Sequence, residues 1–193
     1  MKTLFNENEY FNEDYYERGA ETGKSLYSHY RWIPELTIPM CHHIARYMNL
    51  GDGDKVLDFG CAKGFMLFDL ERQFPEIEIK GIDISKYAIE NSHPEIKKFL
   101  SVGNAKKLEF KDNYFDLVIS INTVHNLDKD NCKKSIQEIS RVSKKNCFLT
   151  VDAFNNIEEQ KRMYMWNLTA KTILSVQEWK KMFKEIGYNG NYF

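Results

Sequence analysis

A short apolar segment followed by a run of mostly small residues constrains this chain more than any other feature. Residues 55–59 (Lys-Val-Leu-Asp-Phe) fit a buried strand, and residues 60–64 (Gly-Cys-Ala-Lys-Gly) form a loop before an apolar helical segment that Pro75 ends. Small residues let the backbone turn sharply, and the free N–H groups at a helix N-terminus attract a carboxylate or a phosphate. Taken alone, the pattern predicts a strand–loop–helix ligand site, although a tight turn without a ligand would look the same.

Strand and helix patterns alternate over residues 55–187. The strands are predicted at residues 55–59, 77–82, 98–102, 114–121 and 147–151. The helices are predicted at residues 34–49, 65–74 and 85–90, around Cys132, Ile136 and Ile139, and from the capping box of Ser175 and Glu178 to Gly187. Because parallel strands need crossover connections, we predict an α/β fold with a doubly wound, mostly parallel sheet flanked by helices. The ligand is expected at the carboxyl ends of the strands.

The composition is that of one soluble globular domain over residues 1–193, with an aromatic lead-in and a helix over 1–50 and the α/β core over 55–193. The net charge is −1, from 27 basic and 28 acidic residues, so no overall field favours nucleic acid or an anionic membrane. No apolar stretch approaches the roughly 20 residues of a membrane span, and the acidic, Asn-rich N-terminus is unlike a signal peptide. We therefore expect a cytoplasmic protein.

Cysteine and histidine positions do not predict a metal site. The cysteines are scattered at Cys41, Cys61, Cys132 and Cys147, which indicates reduced core thiols and no disulfide framework. His42 and His43 are adjacent on the first predicted long helix and point in different directions, so we assign them to its surface. No metal is predicted.

A second carboxylate follows the next predicted strand. Asp83 lies 83 − 58 = 25 residues beyond Asp58. Its two oxygens can accept hydrogen bonds from the 2′ and 3′ hydroxyls of a ribose, which predicts a nucleoside-containing ligand. The same side chain could instead belong to the cap of the helix that Ser85 begins, and it would equally suit an NAD site.

Four segments, in order, resemble those of class I S-adenosylmethionine-dependent methyltransferases of the small bacterial type. They are Asp-x-Gly-x-Ala-x-Gly at 58–64, Gly-Ile-Asp-Ile-Ser at 81–85, Gly-Asn-Ala at 103–105 and the fourth-strand segment 115–127. Ala62 stands where the family often has a glycine. The resemblance implies a Rossmann-like fold, S-adenosyl-L-methionine as the cofactor with S-adenosyl-L-homocysteine as the product, and methyl transfer to nitrogen or oxygen of a small-molecule or sugar-type acceptor.

The resemblance also implies which residues form the site. Cofactor contacts are expected from Asp58, Phe59, Gly60, Cys61, Ala62, Gly64, Asp83, Ile84, Asn104, Ala105 and Asn122. His125 is the predicted general base because imidazole titrates near neutrality, although it could instead line the pocket or cap the next helix. Asp152 could bind a cationic acceptor or orient His125, or it could be a solvated acid at a strand end.

The N-terminal lead-in is dense in aromatic residues. We expect Tyr27 and Arg31 to contact the cofactor and Tyr30 to contact the acceptor, closing the pocket. Aromatic faces attract sulfonium-like cations, and closure excludes water. The alternative is an N-terminal helix that only packs on the sheet.

Three other functions fit part of the sequence. An NAD(P)-dependent oxidoreductase shares the ribose acid, but the loop differs from G-x-G-x-x-G and no Tyr-x-x-x-Lys pair is evident. A non-catalytic methyltransferase-like binding subunit would keep the same loop, and an aminopropyl transferase would need an acidic polyamine-binding series. Class I methyltransferases usually end with two further strands, whereas residues 188–193 supply at most one, so the final strand pair is expected to be incomplete or absent. An unpaired edge would favour association, and a homodimer is a hypothesis.

Overall fold

The computed structural model describes residues 7–104 and 107–193. Its strands are β1 Lys55–Phe59, β2 Glu78–Asp83, β3 Leu100–Val102, β4 Phe115–Ile121, β5 Ser143–Thr150, β6 Ala153–Phe154, β7 Leu174–Ser175 and β8 Asn191–Tyr192. Its α-helices are α1 Glu7–Tyr10, α2 Glu13–Glu17, α3 Gly19–Thr22, α4 Pro34–Tyr47, α5 Phe65–Gln73, α6 Lys86–Glu90, α7 Lys129–Val142, α8 Ile157–Trp166 and α9 Val176–Glu185. Single 3₁₀ turns lie at Lys97–Phe99 and Val124–Asn126.

Six of the strands form one sheet in the order β3-β2-β1-β4-β5-β8, and all neighbouring strands are parallel. The strand order reverses at β1, which pairs with β2 on one side and with β4 on the other. Loops that follow strands on the two sides of such a point diverge and leave a crevice at the carboxyl edge of the sheet. Strands β6 and β7 form a separate parallel pair.

Successive strand residues pack on opposite faces of the sheet. In β1, Leu57 and Phe59 belong to one apolar cluster, together with buried residues of α7 and α9. Val56 belongs to the opposite cluster, together with buried residues of α4 and α5. A strand buried on both faces has a nearly continuous apolar sequence, which is the pattern of β1 and β4. The result is a sheet between two helical layers.

The N-terminal segment is fixed to α5 at one buried carboxylate. Asp69 accepts a hydrogen bond from the Trp32 indole at 3.0 Å and another from the Thr37 hydroxyl. Because Trp32 precedes α4 and Thr37 lies in its first turn, these bonds set where the N-terminal segment reaches the core.

The predicted α/β fold with a parallel sheet is confirmed. Strand β1 has the predicted bounds, and α9 begins with the predicted capping box and is followed by Gly187 at φ 69°. The third strand begins at Leu100 instead of residue 98, because residues 97–99 form a 3₁₀ turn. Beyond β5 the sheet gains only the two-residue strand β8, in accord with the expected incomplete final pair.

Several short elements were missed from the sequence. These are α1 to α3 in the aromatic lead-in, together with β6, α8 and β7 between the fifth strand and α9. All four cysteines are free and buried, as predicted. In the part of the chain that the structure describes, no helix combines the length and apolarity that a membrane span requires.

Candidate functional site

A cavity of about 600 Å³ opens at the carboxyl edge of the sheet, beside β1, β2 and β4. Its floor comes from the loops after these strands, and its cover comes from the N-terminal segment and α4. The predicted site residues that line it are Asp58, Phe59, Gly60, Cys61, Ala62, Asp83, Ile84, Asn122, Tyr27, Tyr30 and Arg31. The volume is that of a typical small-molecule site.

The glycine loop needs its small residues for two physical reasons. Gly60 has φ 86°, and a Cβ there would collide with the Thr123 side chain after β4. Gly64 has φ 79° and precedes α5, where a Cβ would collide with Ile96 and Leu100. Ala62 adopts φ 48°, so an alanine occupies the left-handed region that glycine prefers. The loop therefore turns tightly over the end of β1.

Asp83 serves the loop and the cavity at once. One carboxylate oxygen accepts from the Ala62 N–H at 2.8 Å and the other from the Ser85 N–H at 2.7 Å. Ser85 in turn caps α6 by accepting from the Ala88 N–H. Burial raises the pKa of Asp83, and the backbone N–H groups oppose that rise. Asp83 can therefore hold the Ser85 N–H at the start of α6 and also accept from a ligand in the cavity, since each carboxylate oxygen has a further lone pair.

Asp58 is a buried carboxyl at the end of β1, next to Asp83. Burial raises its pKa from 3.8 to about 7, and the nearby charge of Asp83 adds to the rise. Two carboxyl groups in one buried region disfavour simultaneous ionisation. A ligand that brings positive charge to this wall would favour the ionised form of Asp58.

The cover of the cavity is a cluster of tyrosine rings. Tyr27 packs edge-on against Tyr30, with ring centroids 4.7 Å apart, and it stacks on Tyr16 at 6.4 Å. The Tyr30 ring also lies 5.5 Å from that of Phe65, at the start of α5. Tyr27, Tyr30 and Arg31 all line the cavity. Their closure over a ligand stays a prediction.

Sequence reasoning missed a lysine that joins this cover to the floor. Lys63 is buried in the glycine loop, and its ammonium donates to Glu17 of α2 and to the Tyr30 carbonyl. The sequence signal that could have identified it is a lysine among the small residues of this loop. A charged group there has little contact with solvent and needs a partner.

Two asparagines after β4 form another part of the wall. Asn122 adopts φ 51°, and its side-chain oxygen accepts from the Thr150 hydroxyl at 2.9 Å. Asn126 donates from Nδ2 to the Asn122 carbonyl at 3.2 Å. The Asn126 Oδ1 atom is buried and accepts no hydrogen bond from any residue in the described ranges. Asn126, which the sequence did not single out, lines the cavity.

His125 and Asp152 contact each other but are not among the described residues that line the cavity. The His125 ring is buried, its Nδ1 accepts from the Asp152 N–H at 3.2 Å, and its Nε2 lies 3.7 Å from Asp152 Oδ2. Burial lowers the pKa of His125, and the Asp152 charge partly offsets that effect. The contact agrees with the prediction that Asp152 orients His125. Both residues, however, lie behind the described cavity lining.

Three other predicted residues have different placements. Asn104 is exposed and Gly64 caps α5, and neither is among the described lining residues, although Gly103 is. Ala105 lies outside the described residues. Among the residues that the structure describes, no group of three or more histidine, cysteine or carboxylate side chains could hold a metal ion.

Known proteins are similar to this chain in sequence and in fold. The sequence model of a family described as a methyltransferase domain matches residues 50–187. A chain of the solved complex between the Haloferax volcanii Trm112 methyltransferase activator and its partner superimposes with a TM-score of 0.65. That chain is 19% identical, and the alignment covers 94% of this chain and 77% of that one, so the likeness concerns the fold.

Alignments with curated relatives cover smaller shares of both chains. An uncharacterized protein of Haemophilus influenzae is 29% identical over 146 residues, which cover 69% of this chain and 58% of that protein. The sterol 24-C-methyltransferase of Candida albicans is 32% identical over 128 residues, which cover 60% of this chain and 34% of that enzyme. The chain therefore spans less than two thirds of the length of either relative.

Proposed function

Since this chain belongs to the methyltransferase-domain family, we propose that it binds S-adenosyl-L-methionine and transfers its methyl group to a nitrogen or oxygen of a small-molecule acceptor. The observation that carries the proposal is the Asp83 carboxylate, which lines the cavity while its oxygens hold the Ala62 and Ser85 N–H groups. A carboxylate fixed in this way is positioned to accept from a ribose diol with little loss of conformational freedom.

The cavity fits the parts of this cofactor. Asp83 and Ile84 would hold the ribose, and the loop Gly60–Ala62 before α5 would hold the methionine portion, whose carboxylate suits a helix N-terminus. Arg31, on the cover, would pair with the same carboxylate. We keep Asn104, which directly follows the lining residue Gly103, as the residue that would read the adenine amino group.

The chain's own residues have to align two reactants and exclude water. When bound, S-adenosyl-L-methionine supplies an electrophilic methyl group, to which the acceptor lone pair bonds as the carbon–sulfur bond breaks with its electron pair staying on sulfur. Tyr27 and Tyr30 would cover the reacting centre with electron-rich ring faces, which stabilise positive charge. Alignment of this kind is worth roughly 7–11 kcal/mol of barrier. The displaced acceptor proton passes to solvent or to a base.

The acceptor and the compartment are proposed from charge and thiol chemistry. A net charge of −1 favours a small metabolite over a nucleic acid as the acceptor. Four free, buried thiols suit a reducing compartment, so we propose a cytoplasmic enzyme.

Thermal shift with the full chain tests the cofactor. S-adenosyl-L-homocysteine should raise the unfolding temperature, and above its Kd the rise should grow with the logarithm of its concentration, whereas NAD should not raise it. Asp83→Asn should weaken S-adenosyl-L-homocysteine at least roughly tenfold, because one of the charged acceptors is lost. The matched control Asp130→Asn, an exposed acid of α7, should leave that affinity unchanged. A shift with NAD alone would replace the proposal by an oxidoreductase.

A further inference from the structure

Helix α8 carries large apolar side chains on its outer surface. Ile157 is 67% exposed, Tyr164 59% and Met165 85%. Together with Lys161 they occupy positions i, i+4, i+7 and i+8, which share one face of a helix. Leu168, just beyond the end of α8, is 42% exposed and prolongs this surface. These five residues form what we call the α8 stripe.

The α8 stripe is larger than the apolar surface that a protein commonly leaves to solvent. Single exposed apolar residues are normal, whereas a continuous patch of several hundred Å² marks an interaction site. At roughly 200 Å² for a whole large side chain, the exposed fractions of the four apolar members amount to about 500 Å². Met163, which points away from the stripe, is buried against the domain. Helix α8 therefore has a packed inner side and an apolar outer side that still lacks a partner among the described residues.

The charges beside the stripe cancel each other. Lys161 lies 3.3 Å from Glu158, and Glu159 and Arg162 add one further charge of each sign. A nucleic acid or an anionic membrane would need an excess of basic residues, which α8 does not have. Two copies of one neutral surface, by contrast, meet without net repulsion. A second copy of this chain thus suits the stripe better than a polyanion does.

We infer that two copies of this chain associate through α8, with their α8 stripes packed together about a two-fold axis. In such an interface the same patch is used twice, so each stripe covers the other. The two helices run antiparallel, which places the acidic first turn of each beside the basic half of the other. Two stripes bury about 1,000 Å², which is the lower limit for a specific interface. The dimer is therefore reversible, with a Kd on the order of micromolar.

This contact is separate from the sheet edge at β8, for which the sequence analysis considered association. It also goes beyond the proposed function and does not depend on it. Ile157, Tyr164 and Met165 are not among the described residues that line the cavity. Dimerisation and cofactor binding can therefore be measured and can fail independently.

Sedimentation equilibrium of the full chain over a series of concentrations tests the inference. We expect the mass to rise from that of one chain to that of two. Tyr164→Asp should raise the dimer Kd at least roughly tenfold, because it replaces an apolar anchor by a charge on both copies. The matched control is Tyr47→Asp, since Tyr47 is equally exposed at 59% but lies on α4 beside β8. It should leave the Kd unchanged, and circular dichroism checks that both variants keep the fold.

A charge exchange tests the antiparallel arrangement. Lys161→Glu should weaken the dimer, because each α8 then carries three acids and one base. Adding Glu158→Lys to the same chain restores the balance of charges and should recover most of the affinity. A loss caused only by a missing lysine side chain would not be recovered in this way.

Three outcomes would overturn the inference. A mass of one chain at concentrations up to about 1 mM would show that the stripe does not bind a second copy. Equal weakening by Tyr47→Asp and Tyr164→Asp would move the contact toward the β8 edge. A dimer that Leu36→Asp dissociates while Tyr164→Asp does not would place the contact at the cavity mouth, where Leu36 is exposed.

Discussion

The Lys63 ammonium lies 2.5 Å from Glu17 Oε1 and 3.0 Å from the Tyr30 carbonyl oxygen. Lys63 belongs to the glycine loop, whereas Glu17 ends α2 and Tyr30 precedes α4, so one buried side chain ties the cover of the cavity to its floor. The rings of Tyr30 and Tyr87 lie 6.0 Å and 5.9 Å from the same ammonium. A charge buried in this way depends on its partner, because removal of one member leaves the other uncompensated.

Glu17→Gln should loosen this connection. We expect the free energy of unfolding in urea to fall by about 1.5–3 kcal/mol, the range for a hydrogen bond to a charged group. S-adenosyl-L-homocysteine should also bind more weakly, because the cover is less firmly held. Burial alone would raise the pKa of Glu17, but Lys63, Tyr87 and His29 lower it below its ordinary 4.5. The wild-type contribution is therefore present above pH 4.5 and is lost as the pH falls through the lowered pKa.

Asp14→Asn is the matched control for that variant. The Asp14 carboxylate pairs with Arg18 and Lys24, but its side chain is 31% exposed, so the pairs are screened by solvent. Exposed ion pairs contribute little to stability, so we expect Asp14→Asn to lose less unfolding free energy than Glu17→Gln. Equal losses of unfolding free energy in Glu17→Gln and Asp14→Asn would show that burial of Lys63 does not strengthen its ion pair with Glu17.

Asp58→Asn should stabilise the protein in alkaline solution. The folded state raises the pKa of Asp58 to about 7 through burial and the neighbouring Asp83 charge, while the unfolded chain titrates near 3.8. Stability from this group is complete below 3.8 and is lost as the pH rises to about 7. We expect the variant to exceed the wild type by about 4 kcal/mol at alkaline pH, from the difference between 3.8 and about 7, and the difference to vanish in acid. Urea unfolding across this range measures it, and a difference independent of pH would contradict the assignment.

Ala62→Gly should relieve backbone strain in the glycine loop. A left-handed alanine costs about 1–2 kcal/mol, and glycine loses about 0.5–1 kcal/mol more in chain entropy on folding. The net expectation is a gain in unfolding free energy of about 0.5–1 kcal/mol. The control Ala45→Gly, in the interior of α4, has no such strain to relieve and should lose about 1 kcal/mol. Destabilisation of the same size in both variants would show that φ 48° at Ala62 carries no strain.

Local patterns were sufficient to predict the sheet and part of the site. Strand β1, the loop that ends at Gly64, and Asp83 at the end of β2 are neighbours in sequence and across one strand pair, so periodicity and turn chemistry reveal them. The capping box of Ser175 and Glu178 is likewise contained in four residues. Each of these features depends on residues close along the chain.

Features built from distant residues could not be predicted in the same way. The partners Lys63 and Glu17 are 46 residues apart, and the Thr37 and Trp32 bonds to Asp69 span more than thirty. Short strands such as β6 and β7 exist because they pair with each other, and their two residues carry no periodicity. The direction of the His125 ring also depends on the Asp152 N–H, 27 residues away. The resemblance of the fourth-strand segment implied a general base at His125, but packing decides which way the ring faces.

His125→Gln distinguishes a general base from a residue that holds the loop after β4. The neutral ring carries its proton on Nε2, since Nδ1 accepts from Asp152, and the His125 carbonyl accepts from the Lys171 and Thr172 N–H groups. A base that touches the acceptor would lose roughly 10²–10⁴-fold in kcat on substitution. From the placement behind the cavity wall we expect a smaller loss in kcat and a fall of about 1–2 kcal/mol in unfolding free energy at neutral pH.

The pH dependence of that variant supplies a readout that packing alone would not change. Burial lowers the pKa of His125 below its ordinary 6.5, and Asp152 only partly offsets this. The unfolded chain therefore takes up a proton near pH 6.5 that the folded protein resists, so wild-type stability falls as the pH drops from 6.5 to the lowered value. His125→Gln lacks this penalty, and its deficit against the wild type should shrink in that window. A constant deficit, together with a large loss in kcat, would restore His125 as the base.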